Sequence, residues 1–414
     1  MANALVTPSM IAKEALMQLR NNTILARHVH RAYEKEFSGE QGSTVAIRRP
    51  VKFVASDGAT RVNQDVEEKT TNIVIDQRKH VSWKFSTQEL TLSIEEYSKR
   101  YIQPAVIALA NAVDNSLFGL YKNVWNSVGT PGTTPANFAA MGAMAQRLDE
   151  MAVPTSPRAA MLNPAAHYTI AGNQITLDAV GNIGTSAYRE ANIGRIAKFN
   201  TFSAQNVPSH LVGVKTGTPL VNGASQNVTY ANAVGASWSQ TLVTDGWTNS
   251  VTGIVKAGDV FTIAGVFAVN PVPGEGSSGK KVMPYLQQFT VLADANSGAS
   301  TGPATLTISP PIIASGPHQT VSAAPADDAA ITVLGTASTL YPQNLGFHEN
   351  AFALCMVPLE MPDGASFKAR EAYDGMSLRV VKFYDGEKDD DVIRLDILYG
   401  VKAIYPDLAV RLWG

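Results

Sequence analysis

The stretch YIQPAVIALANAVDNSLFGLYKNV, residues 101–124, decides how this chain folds. Val106, Leu109, Ala110, Val113, Leu117, Leu120, Tyr121 and Val124 recur at intervals of three and four, which gathers them on one face of a helix. Pro104 suits the first helical turn, where its missing N–H would have had no partner. Some ~20 residues at ~1.5 Å each make a rod of about 30 Å. Gly129-Thr130-Pro131-Gly132 closes it. A rod with one apolar stripe needs a surface to lie against, and the flanking sequence supplies candidates.

Upstream, Ser93-Ile94-Glu95-Glu96 spells a helix-capping pattern. Residues 44–54 alternate, with Val45, Ile47, Val51 and Phe53 on one parity and Arg48 and Lys52 on the other, so a strand is predicted. Ile73, Ile75, Val81, Trp83 and Phe85 resume that period after a polar stretch with an Asp57-Gly58 turn. Together they predict a two-stranded arm with a polar tip, a form that is marginal alone. The arm carries Arg48, Arg49, Arg61, Arg78 and Lys79 against Asp57, Asp65, Glu67, Glu68 and Asp76. That density of mixed charge suits either a contact surface or a solvated hairpin. At the amino end, Thr7-Pro8 opens a helix with Ile11, Ala15, Leu16 and Leu19 on its apolar face. Asn21-Asn22 stops it, and Thr23 is the predicted cap of a second helix with Leu25, Val29, Tyr33 and Phe37 on its face.

Downstream, Phe138–Met151 reads as a helix and Ala159–Leu162 as a short buried strand ended by Asn163-Pro164. The texture is α+β rather than a regular βαβ alternation. Composition then changes. Only nine of the 68 charged side chains fall in residues 218–338, where Ser, Thr, Gly and Val dominate. Strands are expected at 251–255, 260–267, 288–292, 305–308 and 331–334, the pattern of a small barrel or sandwich inserted in the α+β chain. Past residue 338 the mixed texture returns. Ser377–Tyr384 and Val392–Leu398 flank Asp385, Glu387, Asp389, Asp390 and Asp391 as a hairpin with a charged tip, and Val401–Tyr405 and Val410–Trp413 read as final strands.

Composition excludes several classes. At 45% hydrophobic, the chain of 414 residues is not disordered. One cysteine rules out an internal disulfide framework and agrees with folding in a cytosol. With 33 basic against 35 acidic residues it lacks the cationic surplus of a dedicated nucleic-acid binder. No run of about 18 apolar residues offers a membrane span, and the start of the chain shows no secretory signal. A single core stops growing near ~250–300 residues, so two or three domains are expected.

Chemistry is sparse. Gly274–Lys281 resembles a phosphate loop, but Lys281 stands where Ser or Thr must hold magnesium, and prolines flank it. The acidic tip 385–391 alternates like a calcium loop, but Asp390 replaces the required glycine and no helices flank it. His28 and His30 are two apart on a predicted helix and face different ways. Cys355 sits in an apolar strand, as a small core residue would. No nucleophile elbow or zinc spacing occurs, so no enzyme, catalytic residue, metal or cofactor is expected.

The order of elements resembles a tailed-bacteriophage major capsid protein of the HK97-like fold, in particular the short-tailed enteric phage coat-protein family with an inserted β-domain. Gly42–Pro50 is similar to the entry of that family's extended loop, and Tyr101–Ala105 to the start of its spine helix. Ser250–Asp259 and Val333–Ser338 resemble marks inside and at the exit of the inserted domain, and Asp374–Val380 the last strand pair of the peripheral domain. The resemblance implies an α+β fold divided into an amino-terminal helical arm (1–40), an extended β-loop (41–85) and a peripheral domain with the spine helix (86–136). It further implies an axial domain (137–217 and 339–371), an inserted β-barrel (218–338), a peripheral hairpin (372–400) and carboxy-terminal strands (401–414). It also implies self-association into hexamers and pentamers of an icosahedral shell, a scaffolding protein and a portal protein as partners, and enclosed double-stranded DNA without sequence-specific binding. No membrane is involved, and the protein would reside in the virion after assembly in the host bacterial cytoplasm. Family cross-linking chemistry needs a Lys–Asn pair and a carboxylate that nothing here singles out. The rivals are a nanocompartment shell of the same fold and a secreted β-rich adhesin.

Overall fold

The computed structural model describes residues 8–33, 44–53, 58–61, 63, 66–86, 98–177, 190–273, 280–365, 367–385 and 390–414. The fold is mixed α+β, and the chain divides into two compact units. The first comprises Met1–Ala46, Asn72–Phe118 and Phe352–Lys402; the second comprises Ile47–Thr71, Gly119–Ala351 and Ala403–Gly414.

In the first unit, α1 (Pro8–Asn22) starts at the expected proline and buries Ile11, Ala15, Leu16 and Leu19. The second helix does not form: a 3-10 turn, Leu25–Arg27, takes its place. Thr23 donates its hydroxyl backwards to the Arg20 carbonyl (3.1 Å) instead of capping forwards. The turn is held by Asp114, whose carboxylate accepts from the Ile24 (2.7 Å) and Ala26 (3.1 Å) amides. His30 then bridges to Ala353, so a partner far along the chain wins over local helical spacing. Phe37 and the 93–96 capping pattern lie outside the described residues.

β1 (Thr44–Arg48) ends earlier than its alternation predicts and pairs with β2 (Thr70–Val74) in a two-stranded sheet. Pro50 has no N–H to extend the ladder, and Phe53 is 63% exposed. β3 (Gln77–Ser86) forms as expected but does not continue the arm. It runs along β19 (Asp390–Ala403), from Gln77 opposite Tyr399 to Ser86 opposite Asp390. With β16 (Phe352–Met356), β17 (Phe367–Tyr373) and β18 (Met376–Asp385), these strands make a five-stranded sheet. β19 continues through Val401, so the strand expected at 401–405 is the end of β19 rather than a separate element.

The long helix is real but shorter in α form. A π-turn (Ser98–Ile102) leads into α2 (Gln103–Phe118), and a 3-10 segment (Gly119–Asn123) follows. The change falls at Gly119, a residue that costs ~1 kcal/mol in a helix interior. Val106, Leu109, Val113 and Leu117 are buried, and the helix packs on α1 and β3. Ser116 and Tyr399 join their hydroxyls at 2.8 Å, fixing α2 to β19.

The second unit holds a seven-stranded sheet in the order β4 (Ser127–Val128), β20 (Ala409–Trp413), β15 (Leu340–His348), β5 (Arg158–Leu162), β7 (Phe199–Ser203), β6 (Arg195–Ile196), with β8 (Ser209–Leu211) also on β15. α3 (Phe138–Glu150) and α4 (Pro164–Leu177) cover it through Met144, Leu148 and Ile170, packed with Leu162, Phe199 and Leu412. The charge-poor stretch folds as a six-stranded sheet: β14 (Ile331–Val333), β11 (Val260–Pro273), β12 (Lys280–Val291), β13 (Ala304–Ser309), β10 (Gln240–Trp247), β9 (Gly217–Val221). Its two ends meet, because the Val221 amide donates to Ala329 (3.0 Å) and Leu220 bridges to Ala330, so the sheet curls into a barrel. Residues 251–255 are not a strand there: Gly253 takes φ +68°, and only Val255 makes a bridge, to Ala295. The barrel core (Leu242, Phe261, Phe289, Leu306) is continuous with Val212, Tyr341 and Trp413 of the neighbouring sheet. A buried polar chain ties the same parts together. The Tyr121 hydroxyl lies 3.0 Å from His210 Nδ1, and His210 Nε2 lies 2.8 Å from Asp259 Oδ1. Asp259 Oδ2 accepts from the Gly213 (3.0 Å) and Lys256 (2.7 Å) amides, while Arg411 donates to the Gly258 carbonyl (2.8 Å). Burial pulls Arg411 down to about 10, against the opposing pull of Tyr121 and Asp259.

Candidate intersubunit surface

The charged residues singled out by sequence have different fates. Arg48 and Arg49 are chain neighbours that point to opposite environments. Arg48 is 78% exposed and pairs with Glu68 at 3.2 Å. Arg49 turns inward: it donates to the Thr71 hydroxyl (3.1 Å) and the Ile404 carbonyl (3.2 Å) and lies 4.7 Å from the Trp238 ring centroid. Burial lowers the Arg49 pKa, partly offset by Asp407. Arg49 therefore anchors the root of the loop within its own unit and is not a free assembly charge. Arg61, Glu67 and Glu68 are exposed beyond it.

Asp76 and Lys79 are exposed, and Arg78, half-exposed on β3, reaches inward to the buried Asp396 at 3.8 Å. Asp57, Asp65, Glu387 and Asp389 lie outside the described residues. Of Asp385, Asp390 and Asp391 the backbone register is known: Asp385 opposes Asp390, and Asp391 opposes Tyr384. The structure thus groups Arg48, Arg61, Glu67 and Glu68 near the loop, apart in the chain from the hairpin end. Exposed apolar side chains accompany both groups: Phe53 (63%) and Val66 (61%) with the loop, Phe383 (46%) and Tyr384 (58%) with the hairpin.

Sequence reading missed two sets. Lys69 donates to the carbonyls of Ala231 (2.8 Å) and Ala233 and sits 5.3 Å from the Tyr230 ring, a second anchor of the loop root. Asp396 is fully buried, with Arg379 at 2.6 Å and Arg394 at 2.7 Å. Burial alone would raise the Asp396 carboxyl, but the hydrogen bonds from Arg379 and Arg394 outweigh it and hold the group below the usual carboxylate range. The hairpin itself carried that signal: counting back from its tip sets Arg379 opposite Asp396, on the face that Val380 and Leu395 leave free.

Other motifs resolve as structure. Residues 274–279 of the glycine-rich segment lie outside the described residues; on either side of them Pro273 and Lys280 pair in antiparallel strands, and no helix follows as a phosphate loop requires. Cys355 is buried in β16. Among the described residues no cluster of three His, Cys, Asp or Glu could hold a metal, and no helix is long and apolar enough to cross a membrane.

A family model described as "P22 coat protein - gene protein 5" matches residues 1–414. The major capsid protein of Acyrthosiphon pisum secondary endosymbiont phage 1 is 24% identical over 425 residues, covering 98% of this chain and 97% of that protein. Among solved structures, one from Mycobacterium phage Che8 aligns with TM-score 0.47 at 13% identity, over 94% of this chain and 90% of that one. The capsid structure of cyanophage P-SCSP1u aligns with TM-score 0.43 at 11% identity, over 90% and 83%.

Proposed function

Because this chain belongs to the P22 coat protein family over its whole length, we propose that its copies close as hexamers and pentamers into an icosahedral shell around the double-stranded DNA of a tailed phage. The protein is a phage major capsid protein and a component of the virion. The match of the family model to every residue carries this reading. In it, the loop rooted by Arg49 and Lys69 lies over the adjacent subunit, with Arg48, Arg61, Glu67 and Glu68 as its contact charges. Two features support this role. The loop's root is anchored while its charges and Phe53 and Val66 stay exposed, and a permanent shell contact buries several thousand Å² between copies. α2 acts as the spine of the peripheral part, and the barrel at 218–338 aids folding and capsomer contacts.

α1 spends its apolar face on its own unit but leaves Met10 (44%) and Met17 (54%) exposed two turns apart. That methionine face is the proposed contact for a scaffolding protein during assembly in the host cytoplasm. A portal protein occupies one vertex, and the DNA is enclosed without sequence-specific contacts. The test is negative-stain microscopy of the purified full chain, alone and with its scaffolding partner. Capsomers, sheets or shells are expected; a chain that stays monomeric in both samples overturns the reading.

A further inference from the structure

One cleft of the second unit has Lys52 in its wall and three further cations, Arg49, Lys69 and Lys280, acting on it from behind. The cleft, of about 340 Å³, is lined by Val51, Lys52, Glu67, Tyr230, Ile313 and His318, among others. Tyr230 and His318 stack face to face in it, with ring centroids 3.6 Å apart and planes within 5°. Lys52, Lys280, Arg49 and Lys69 all act electrostatically on His318. Three of the four spend their hydrogen bonds on uncharged groups: Arg49 on Thr71 and Ile404, Lys69 on Ala231 and Ala233, and Lys280 on the Gln319 carbonyl (2.9 Å). Carbonyls satisfy donors but do not cancel charge. Lys52 stands exposed at the rim.

Among the described residues, no ion pair within 4.0 Å reaches any of the four, and Glu67 is the carboxylate that lines the cleft. The excess of positive charge is felt by its neighbours. Burial first, then the four cations, hold the His318 imidazole down to about 4. Burial and the like charge of Lys52 pull Lys280 down to about 8 against the opposing pull of Asp407, which also acts on Arg49. A site that resists protons in this way, beside an aromatic surface, favours an anion.

The chain itself carries a matching segment. Residues 385–391, DGEKDDD, hold five carboxylates and one lysine. They follow Phe383 and Tyr384, both exposed, at the turn of the β18–β19 hairpin. Resting on the shell reading above, we propose that the cleft is a receptor for carboxylate side chains, and that its occupant is the acidic hairpin end of a neighbouring copy. Lys52 meets the carboxylates, Lys280 adds its charge from behind the wall, and the Tyr230–His318 stack receives the flanking aromatic residues.

The test titrates the purified full-length chain with a synthetic peptide of residues 383–392 and follows the His318 imidazole signals by NMR. Saturable binding is expected, with the His318 midpoint rising from about 4 as carboxylates arrive. A peptide with amides in place of the five carboxylates, and the Lys52→Glu variant, should each bind at least tenfold more weakly, while Lys52→Arg binds normally. Equal binding of the amide peptide, undiminished binding by Lys52→Glu, or no saturable binding overturns the proposal. Displacement of the peptide by inorganic phosphate or a short oligonucleotide at equal charge concentration also overturns it and assigns the cleft to phosphate. Microscopy of the same preparation separates the two readings. Shells without peptide binding remove this contact and keep the coat function; peptide binding without shells keeps the receptor and removes the shell.

Discussion

Asp396 and Asp259 are both buried, one in each unit, and their neighbours differ. Asp396 is met by charge: the guanidinium groups of Arg379 and Arg394 reach it from β18 and from its own strand, and that of Arg78 from β3 at 3.8 Å. Asp259 is met by dipoles: two backbone amides and the His210 ring, itself held by Tyr121. The same contrast sets the barrel interior apart, although the second unit has ion pairs elsewhere, such as buried Arg158 with Asp149 at 2.8 Å. Within the barrel, polar side chains bond to backbone and to one another, as where Thr244 donates to the Ala304 carbonyl and accepts from the Trp247 indole. A stretch with nine charges in residues 218–338 holds its interior with hydroxyls, while the first unit spends ion pairs. The difference teaches that low average charge does not mean one uniform kind of surface or core. The barrel interior and the Asp396 cluster keep different polar chemistry, and each should fail under different stress.

The sharpest way to break this comparison is Asp396→Asn. It leaves three guanidinium groups, of Arg78, Arg379 and Arg394, facing a neutral amide, and about 3–5 kcal/mol of unfolding free energy should be lost in denaturant titrations. Asp259→Asn should cost less, about 1–3 kcal/mol, because the amide oxygen still accepts from backbone N–H groups. Equal losses would erase the distinction between ionic and dipolar support.

Acid should separate the units in time. His318 titrates near 4 in the folded chain and near ~6.5 when unfolded, so the unfolded chain takes the proton first. Its contribution therefore falls as pH drops from ~6.5 towards 4. Asp396 is held below the ordinary carboxylate value, so its contribution is complete above pH ~3.9 and is lost only as pH falls through its folded value. Hydrogen exchange at pH 7 and pH 5, corrected for intrinsic rates, should show the segment around residues 312–320 losing protection before β18 and β19. Simultaneous loss would count against the assignment. The smallest effect sharpens the contrast between adjacent residues. Arg48→Ala should change stability by less than ~1 kcal/mol, as for any exposed ion pair, while Arg49→Ala, which removes buried hydrogen bonds and a contact with Trp238, should cost about 2 kcal/mol.

Local signals were legible where local forces decide. Pro8, Pro104 and the Ala159–Leu162 run lie where their residues indicate, and β18 and β19 pair as the expected hairpin. The second helix was misread because its apolar spacing is real while its backbone partners, Asp114 and Ala353, are remote. β10 escaped notice because its inward positions include Gln240 and Thr244, polar residues satisfied by Ile312 and by Ala304 on the adjacent strand β13. The candidate surface was half legible. Composition marks the loop as charged, but nothing in the dipeptide Arg48-Arg49 tells which residue faces out. That choice is made by Trp238, Thr71 and Ile404, which only the fold brings near.

β20 lies between β15 and β4 in its sheet, pairing in parallel with Ser127 and Val128. The two halves of that contact are almost as far apart in sequence as the second unit allows. Contacts of this kind carry a high loop-closure cost and slow the search for the native state. During synthesis, the β11–β12 hairpin and its barrel can assemble from neighbouring segments, whereas the sheet beside them waits for residues 409–413 to emerge. Until then, one face of Trp413's future pocket, at Val212 and Tyr341, stays open. By sequence separation alone, the barrel's contacts close at lower cost than those of the sheet that β20 completes, which makes the last strand the costliest contact of its unit to form.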